Sequence, residues 1–177
     1  MAGGPGTRLG ADEKPLVSVG GVPMVDRVLA AVRSSSIEDV IVAVSPHTPE
    51  TAEHVAAETV ETPGAGYVPD LSIALEEVGR PALTVAADLP LLTGALVDRV
   101  RRLSGGQTTA VYVPLSIAER VQASVDTTAE IEGRQVVPTG VNVVGASEED
   151  RSLVLSDPRL AANVNRPDDR RRAEGLA

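Results

Sequence analysis

Residues 3–15 read GGPGTRLGADEKP and combine a glycine-rich loop with Lys14, the single lysine among 16 basic residues. Glycines let a backbone approach an anion closely and turn several N–H groups toward it, and a nearby ammonium adds a mobile positive charge. We therefore predict a cradle for a triphosphate. The alternative is a flexible N-terminal segment with an incidental lysine, and the turn chemistry of this stretch makes that the weaker interpretation.

Composition limits what the chain can be. Its 177 residues, 42% of them hydrophobic, predict one domain over residues 1–177. The absence of cysteine excludes disulfides and thiolate metal sites. No apolar run approaches the roughly 20 residues of a membrane span, and the N-terminus lacks an apolar signal-peptide core, so we expect a cytoplasmic protein without a membrane partner.

The net charge of −9 argues against general binding to nucleic acid, which needs a basic face. An acidic surface with almost no lysine suggests adaptation to high salt, because carboxylates hold hydration there and screening weakens their mutual repulsion. A halophilic habitat is therefore a hypothesis that follows from composition.

Short β-branched runs alternate with amphipathic segments, a pattern typical of βαβ units. It predicts an α/β fold, a single-domain, three-layer, Rossmann-like arrangement around a mostly parallel sheet. Residues 116–140 are poorly patterned and are predicted to form a mobile excursion with a hairpin at Glu132-Gly133. The predicted helices cover about 25–32, 48–58, 69–78 and 93–103, with two short ones enclosing 163–169; the predicted strands cover 39–44, 60–62, 82–86, 109–113 and 141–144.

A gap is expected at the start of the sheet. A glycine-rich phosphate loop normally follows a strand, because the strand fixes where the N–H groups point. Only Met1 and Ala2 precede Gly3, whereas a central first strand needs about five residues. We therefore expect a truncated first strand and an unpaired slot in the middle of the sheet.

Residues 3–10, followed by Lys14-Pro15, resemble the signature loop of the nucleotidyltransferases that include sugar-phosphate nucleotidylyltransferases and molybdenum-cofactor guanylyltransferases. Within this superfamily the chain is most similar to archaeal adenosylcobinamide-phosphate guanylyltransferases, in the stretches SPHTPET (45–51), GAGYVPDL (64–71), PTGVNVV (138–144) and NVN (163–165). The resemblance implies that GTP and adenosylcobinamide phosphate react to give adenosylcobinamide-GDP and pyrophosphate, a step of cobalamin biosynthesis.

The residues fit such chemistry. The attacking phosphate oxygen is already ionised at neutral pH and needs no general base, which agrees with a chain that has no cysteine nucleophile and no obvious histidine-centred dyad. Positioning and electrostatics must then supply most of the rate. We assign the phosphate loop as follows: Gly3, Gly4 and Gly6 to close backbone contact with the nucleotide, Thr7 and Arg8 to phosphate oxygens, and Lys14 to the α-phosphate and attacking group.

Asp88 is the candidate metal ligand, and with Arg8 and Lys14 it completes the predicted catalytic set. It follows a predicted strand at the carboxyl edge where open α/β sheets bind ligands, and a carboxylate there suits Mg²⁺. The alternative is a turn or helix-capping aspartate before Pro90, but the pairing with the phosphate loop and the resemblance favour the metal.

Two asparagines near the C-terminus complete this side of the predicted site. The resemblance places Asn163 at the nucleotide and Asn165 beside Asp88 at the metal. An Asn-x-Asn before a proline is otherwise ordinary turn chemistry.

Further predicted nucleotide contacts lie elsewhere in the chain. The resemblance places Gly64, Gly66 and Tyr67 over the guanine base, where Tyr67 either stacks on the purine or covers core residues. Gly140 precedes a strand, where a side chain would intrude on a ligand or on neighbouring backbone. Asp70 recognises guanine donors or favours the positive start of its helix, and the sequence leaves both open.

The expected partners are GTP and adenosylcobinamide phosphate, and residues 114–137 are expected to help form the acceptor pocket. The sequence leaves open whether the protein is a monomer or a homodimer.

Two other functions compete with the guanylyltransferase function. The first is a nucleotidyltransferase for molybdopterin or a sugar 1-phosphate, and the second is a nucleotide-binding protein without catalysis.

Overall fold

The computed structural model describes residues 1–4, 13–146 and 150–176. Its helices are α1 (Met24–Arg33), α2 (Pro49–His54), α3 (Tyr67–Val78), α4 (Gly94–Ser104), α5 (Leu115–Arg120) and α6 (Pro167–Leu176). Its strands are β1 (Ser18–Val19), β2 (Val22–Pro23), β3 (Ile41–Val44), β4 (Glu58–Glu61), β5 (Ala82–Val85), β6 (Thr108–Pro114), β7 (Ala129–Ile131), β8 (Arg134–Val144) and β9 (Asp150–Val154). Short 3-10 turns occupy Lys14–Leu16 and Pro158–Ala161.

The main sheet has the strand order β5-β8-β6-β9, and β7 pairs with the outer part of β8. β8 runs antiparallel to β5 and β6, whereas β9 is parallel to β6, so β5, β6 and β9 point the same way. β3 and β4 form a separate parallel pair. The single-domain α/β fold predicted from the sequence is confirmed, with β8 as the strand that runs against its neighbours.

The core lies between the main sheet and the helices α1 and α4. Val97, Val100, Val111, Val113 and Val141 are at most 1% exposed and belong to one buried cluster. Small branched side chains fill this space, in agreement with a chain that contains no Phe or Trp. Alternation along β6 turns one face of the strand inward and produces this packing.

Local signals at the ends of α4 explain its boundaries. The Thr93 hydroxyl accepts a hydrogen bond from the Leu96 N–H at 3.4 Å, which satisfies one of the free donors of the first turn. Gly105 ends the helix in the left-handed conformation, with φ of 60°. The predicted helix over 93–103 therefore differs from α4 by one residue at each end.

The sequence pattern was misleading between residues 116 and 140, whereas the predicted strand over 141–144 is part of β8. The predicted mobile excursion instead contains α5 and most of the 11-residue strand β8, although the hairpin turn at Glu132-Gly133 is confirmed between β7 and β8. The alternation of buried and exposed residues along β8 is broken at Pro138, and the pairing of β6 with β8 is irregular between Ala110 and Tyr112. The predicted helix over 48–58 also ends early, at His54, because residues 58–61 form β4.

Met1 and Ala2 connect the two parts of the sheet. The Met1 nitrogen donates to the Val85 carbonyl at 2.8 Å, and the Ala87 N–H donates to the Met1 carbonyl at 3.1 Å. On the other side, the Ala2 N–H donates to the Ala43 carbonyl at 2.8 Å. This is the pattern of a parallel strand that pairs with β5 on one side and β3 on the other.

A groove continues from Met1 between β3 and β5. It has a volume of about 530 Å³, and apolar side chains from α1, α3, β3 and β5 line much of it, among them Val28, Leu29, Val42, Leu75 and Leu83. Because alternate strand residues face the same neighbour, the backbone groups of Ile41 and Leu83 face this groove. The groove lies where the sequence analysis expected an unpaired slot in the sheet.

The Met1 amino group lies at the inner end of this groove. Burial lowers its pKa from 8.0 to about 6, because the charged form loses its hydration, while the negative charge of Asp88 acts in the opposite direction. Burial therefore disfavours the charged form of this amine.

The helices found in residues 1–4, 13–146 and 150–176 include none with the length and apolar character that a membrane span requires.

We predict that five alternating Val and Ile residues added before Met1 stabilise the protein by pairing with β3 and β5 and filling the groove. The thermal midpoint should rise by roughly 5 °C or more, because several apolar side chains become buried. The control is an extension of the same length made of Gly and Ser, and calorimetry compares the two. Equal midpoints for both extensions would contradict the prediction.

Candidate active site

Residues from three distant parts of the chain meet at the carboxyl end of β5. Asp88 lies three residues beyond the end of that strand, and its carbonyl accepts a hydrogen bond from the Val164 N–H at 3.0 Å. This backbone contact brings the loop of Asn163 and Asn165 beside Asp88. The 3-10 turn that begins at Lys14 supplies the third part.

An ammonium group lies at the centre of this cluster. The Lys14 Nζ is 2.5 Å from Asp88 Oδ2 and 2.7 Å from Asn165 Oδ1. The Asn163 Nδ2 donates at 3.3 Å to Asp88 Oδ1 and at the same distance to the Thr139 carbonyl. The structure therefore brings together four residues that the sequence proposed for one site. Sequence separations reach 151 residues, so tertiary structure alone produces this arrangement.

The cluster is partly open to solvent. The side chains of Lys14 and Asp88 are 20% and 15% exposed. Such a pair is accessible to a ligand and is only partly screened by water. An incoming phosphate would compete with Asp88 and Asn165 for the Lys14 ammonium, and a cation would compete with Lys14 for the oxygens of Asp88 and Asn165.

The oxygens of Asp88 and Asn165 fit a hard divalent cation in type, since Mg²⁺ prefers carboxylate, amide and water oxygens. In the described part of the chain, no group of three or more His, Cys, Asp or Glu residues is arranged to hold a metal ion. Mg²⁺ commonly uses one or two protein ligands and takes the others from water and substrate phosphates. The residues present therefore fit a metal that is shared with a bound nucleotide.

Gly140 borders the cluster, and a side chain at this position would be in tight contact with its neighbours. Its φ is 78°, a left-handed conformation that favours glycine. An added Cβ would lie 3.0 Å from the Ala86 Cβ and 3.5 Å from Asn163 Nδ2. The atoms close to this Cβ belong to side chains and not to the neighbouring backbone that was expected, and direct contact of Gly140 with a nucleotide stays a prediction.

The first glycines of the phosphate loop are attached to the end of β3. The Ser45 hydroxyl donates to the Gly3 carbonyl at 2.8 Å, and a Cβ on Gly3 would lie 3.1 Å from the Ser45 Cβ. A Cβ on Gly4 would meet no described atom within 4 Å. Ser45 is thus a contact that the sequence reasoning missed. The predicted phosphate ligands Gly6, Thr7 and Arg8 lie outside the described residues.

Glu13, the residue before Lys14, is a second residue that was missed. Its side chain is buried and accepts hydrogen bonds from the N–H groups of Glu50 and Thr51, both at 2.7 Å, and from the Thr51 hydroxyl at 2.5 Å. It therefore satisfies the first N–H groups of α2, because the side chain of Thr48, the residue before the helix, makes no capping bond. This contact anchors the backbone that carries Lys14.

The loop before α3 packs against the end of β3. Gly64 has φ of 69°, and a Cβ there would lie 2.7 Å from the His47 ring. Gly66 precedes α3 with φ of 123°, again in the region that favours glycine. Asp70 is buried, and its Oδ1 accepts the Ala65 N–H at 3.1 Å, which supports its structural alternative at the helix start.

Tyr67 contacts a different part of the sheet from the Lys14 cluster. Its hydroxyl accepts a hydrogen bond from Asn142 Nδ2 at 3.1 Å and lies 3.4 Å from the Thr84 hydroxyl. The side chain is half-exposed, which leaves one side of the residue accessible. Stacking of Tyr67 on a base stays a prediction.

Comparison with known proteins agrees with this geometry. The model of the MobA-like NTP transferase domain matches residues 1–164. The chain is 28% identical over 195 aligned positions to adenosylcobinamide-phosphate guanylyltransferase of Methanocaldococcus jannaschii, with 99% of this chain and 94% of that protein covered. It is 33% identical over 119 positions to molybdenum cofactor guanylyltransferase of Pseudomonas entomophila, with 64% and 60% covered. A hypothetical transferase from Thermus thermophilus has a similar fold, with a TM-score of 0.72, 20% identity and 96% of each chain covered.

We predict that Glu13→Gln lowers the free energy of unfolding by about 1–3 kcal/mol, because a buried acceptor of three hydrogen bonds loses its charge and one acceptor oxygen. Denaturant unfolding measures the change. The matched control is Glu50→Gln, which makes the same substitution at an exposed position of α2. Equal stability of the two variants would mean that the Glu13 contact contributes nothing to folding.

Proposed function

The chain belongs to the MobA-like NTP transferase family and is a nucleotidyltransferase, and from this premise we propose that it transfers GMP from GTP to adenosylcobinamide phosphate. The proposal depends on one observation: the side chains of Lys14, Asp88 and Asn165 contact one another at the end of β5. Lys14 follows the glycine-rich loop directly in the sequence. The near full-length similarity to an adenosylcobinamide-phosphate guanylyltransferase supports the choice of base and acceptor.

In the proposed reaction, a phosphate oxygen of the acceptor attacks the α-phosphorus of GTP. The new P–O bond forms as the bond to the bridging oxygen of the β-phosphate breaks, and pyrophosphate leaves with that electron pair. The attacking oxygen carries its negative charge at neutral pH, so no side chain has to remove a proton. The protein must instead bring two anions together and neutralise the charge that develops.

Lys14 is the residue suited to that neutralisation. Its ammonium is compact, is held between two oxygens and comes from the segment that continues the phosphate loop. In the proposed complex it turns from Asp88 to the α-phosphate and the attacking group. Asn163 orients Asp88 through the hydrogen bond to Oδ1, which keeps the other oxygen directed toward the site.

We also propose that Asp88 and Asn165 hold Mg²⁺ when the nucleotide is bound. The ion would supply positive charge for the triphosphate and the leaving pyrophosphate. Asp88 contributes a carboxylate oxygen and Asn165 an amide oxygen, and in the structure both oxygens contact the Lys14 ammonium.

An archaeal origin and a halophilic habitat remain proposals that rest on the resemblance and on composition.

The second candidate is transfer of GMP to a molybdenum cofactor, supported by the 33% identity to the Pseudomonas entomophila enzyme. That similarity covers 64% of this chain, less than the similarity to the cobinamide enzyme. The two functions use the same nucleotide and the same cluster. They differ only in the acceptor.

The decisive assay incubates the protein with Mg²⁺, each of GTP, ATP, CTP and UTP, and each candidate acceptor, and follows pyrophosphate release. We expect turnover with GTP and adenosylcobinamide phosphate, in molar salt if the halophilic hypothesis holds. Turnover only with molybdopterin or a sugar 1-phosphate would replace the proposed acceptor. If none of the acceptors supports pyrophosphate release at any salt concentration, the protein binds nucleotides without catalysis.

We predict that Lys14→Ala lowers kcat about 100-fold or more, as expected when a group that stabilises transition-state charge is removed. Lys14→Arg should not restore the rate, because a planar guanidinium does not fit where a compact ammonium meets two oxygens. Arg102→Ala, which removes an exposed charge from the last turn of α4, is the control. Wild-type kcat in Lys14→Ala would exclude the assigned role.

A further inference from the structure

A buried carboxylate next to the site has no role in the reaction as described so far. Asp169 lies in the first turn of α6 and is 4% exposed. Its neighbour Asp168 is exposed and pairs with Arg171 on the same helix. Two adjacent aspartates therefore lie in opposite environments, and a buried carboxylate needs compensating donors to remain stable.

The two oxygens of Asp169 bind two different segments. Oδ2 accepts hydrogen bonds from the backbone N–H groups of Asn165 at 3.1 Å and Arg166 at 2.9 Å. Oδ1 accepts the N–H of Ser124 at 3.1 Å and its hydroxyl at 2.8 Å, and Arg172 Nη1 lies 3.2 Å away. One side chain thus connects the loop of Asn165 with the segment that follows α5.

The same two segments are joined a second time. Arg166 Nη2 donates to Asp126 Oδ1 at 2.8 Å across an exposed surface. Because exposed ion pairs contribute little, the buried contacts of Asp169 are the stronger connection. The backbone of Asn165 is therefore held by α6, while its side-chain oxygen meets Lys14 at 2.7 Å.

We propose that Asp169 is a positioning residue, which fixes Asn165 against Lys14 and makes that contact depend on the segment at Ser124. The carboxylate has acceptor oxygens on both sides, so it can serve both segments at once. An amide at position 169 has one oxygen and one NH₂ group, and the NH₂ group would face N–H donors on one side. The kinetic consequence rests on the proposed function, whereas the effect on Lys14 does not.

The single lysine of this sequence makes the effect on Lys14 directly measurable. Acylation by an amine reagent modifies Lys14 and the N-terminal amine, and peptide mass mapping separates the two. In Asp169→Asn we expect acylation of Lys14 to be roughly tenfold faster than in the unsubstituted protein, because the ammonium loses a fixed acceptor. Asp169→Glu keeps the charge and should restore part of the protection.

Two controls separate positioning from loss of stability. Asp168→Asn makes the same charge change one residue earlier and should leave the acylation rate unchanged. Val97→Ala shortens a fully buried side chain of α4 and leaves a cavity in the core. It should lower the stability of the protein without changing the acylation rate of Lys14. An unchanged rate in folded Asp169→Asn, or an equal increase in Val97→Ala, would overturn the proposal.

A measurement on the unsubstituted protein keeps the proposal testable if Asp169→Asn does not fold. Hydrogen exchange of the Asn165 and Arg166 amides should be strongly slowed, and exchange at the rate of an unstructured peptide would overturn the proposal. In turnover assays, Asp169→Asn should lower kcat about tenfold while Asp168→Asn does not. Absence of turnover in every variant would contradict the proposed function alone, because the acylation result would still stand.

Discussion

Three hydrogen bonds made by the main chain of Met1 and Ala2 hold together the two parts of the structure that meet at the site. They join β5 to β3 and so connect the main sheet with the β3–β4 pair. The same contacts fix the point at which Gly3 leaves the sheet, next to Ser45 at the end of β3. The direction in which a phosphate loop turns its N–H groups depends on where the loop begins, so these contacts are part of what positions the loop.

A second constraint is the use of buried carboxylates behind the site. Glu13 binds the start of α2 and precedes Lys14, while Asp169 binds the backbone of Asn165. Asp169 thus holds the main chain of Asn165 directly, whereas Glu13 is anchored to α2 and holds Lys14 through the peptide bond between them. Rigid attachment of the main chain limits the positions that Lys14 and Asn165 can adopt. Preorganisation of this kind is what a reaction driven by positioning and electrostatics needs.

Local patterns predicted the elements that build the edge of the site. The strand before Asp88 and helices α1, α3 and α4 follow from hydrophobic periodicity, and Asp88 was placed correctly at the carboxyl end of its strand. Lys14, Asp88, Asn163 and Asn165 were grouped through the resemblance, since nothing in their spacing brings them together. The structure confirms their proximity but does not test their roles.

Long-range contacts account for what the sequence did not predict. β8 contains Pro138 and Gly140, which are uncommon inside strands, and it pairs with β5 and β6 on either side, so its own sequence pattern is weak. Free N–H groups at the start of α2 indicated that an acceptor was needed, but not that Glu13, 37 residues before Glu50, would supply it. The contact between Asp169 and Ser124 spans 45 residues and has no local signal.

The charges near the site are balanced in pairs, and this has a consequence for ligand binding. Lys14 faces Asp88, and Arg166 faces Asp126, in a chain whose net charge is −9. A triphosphate therefore does not meet a free excess of positive charge from these residues. Asp88 can satisfy either the ammonium or a metal ion, so in the proposed function a cation at Asp88 leaves Lys14 available to the phosphate. Nucleotide and metal should then bind together more tightly than either binds alone, because each removes the partner that the other would have to displace.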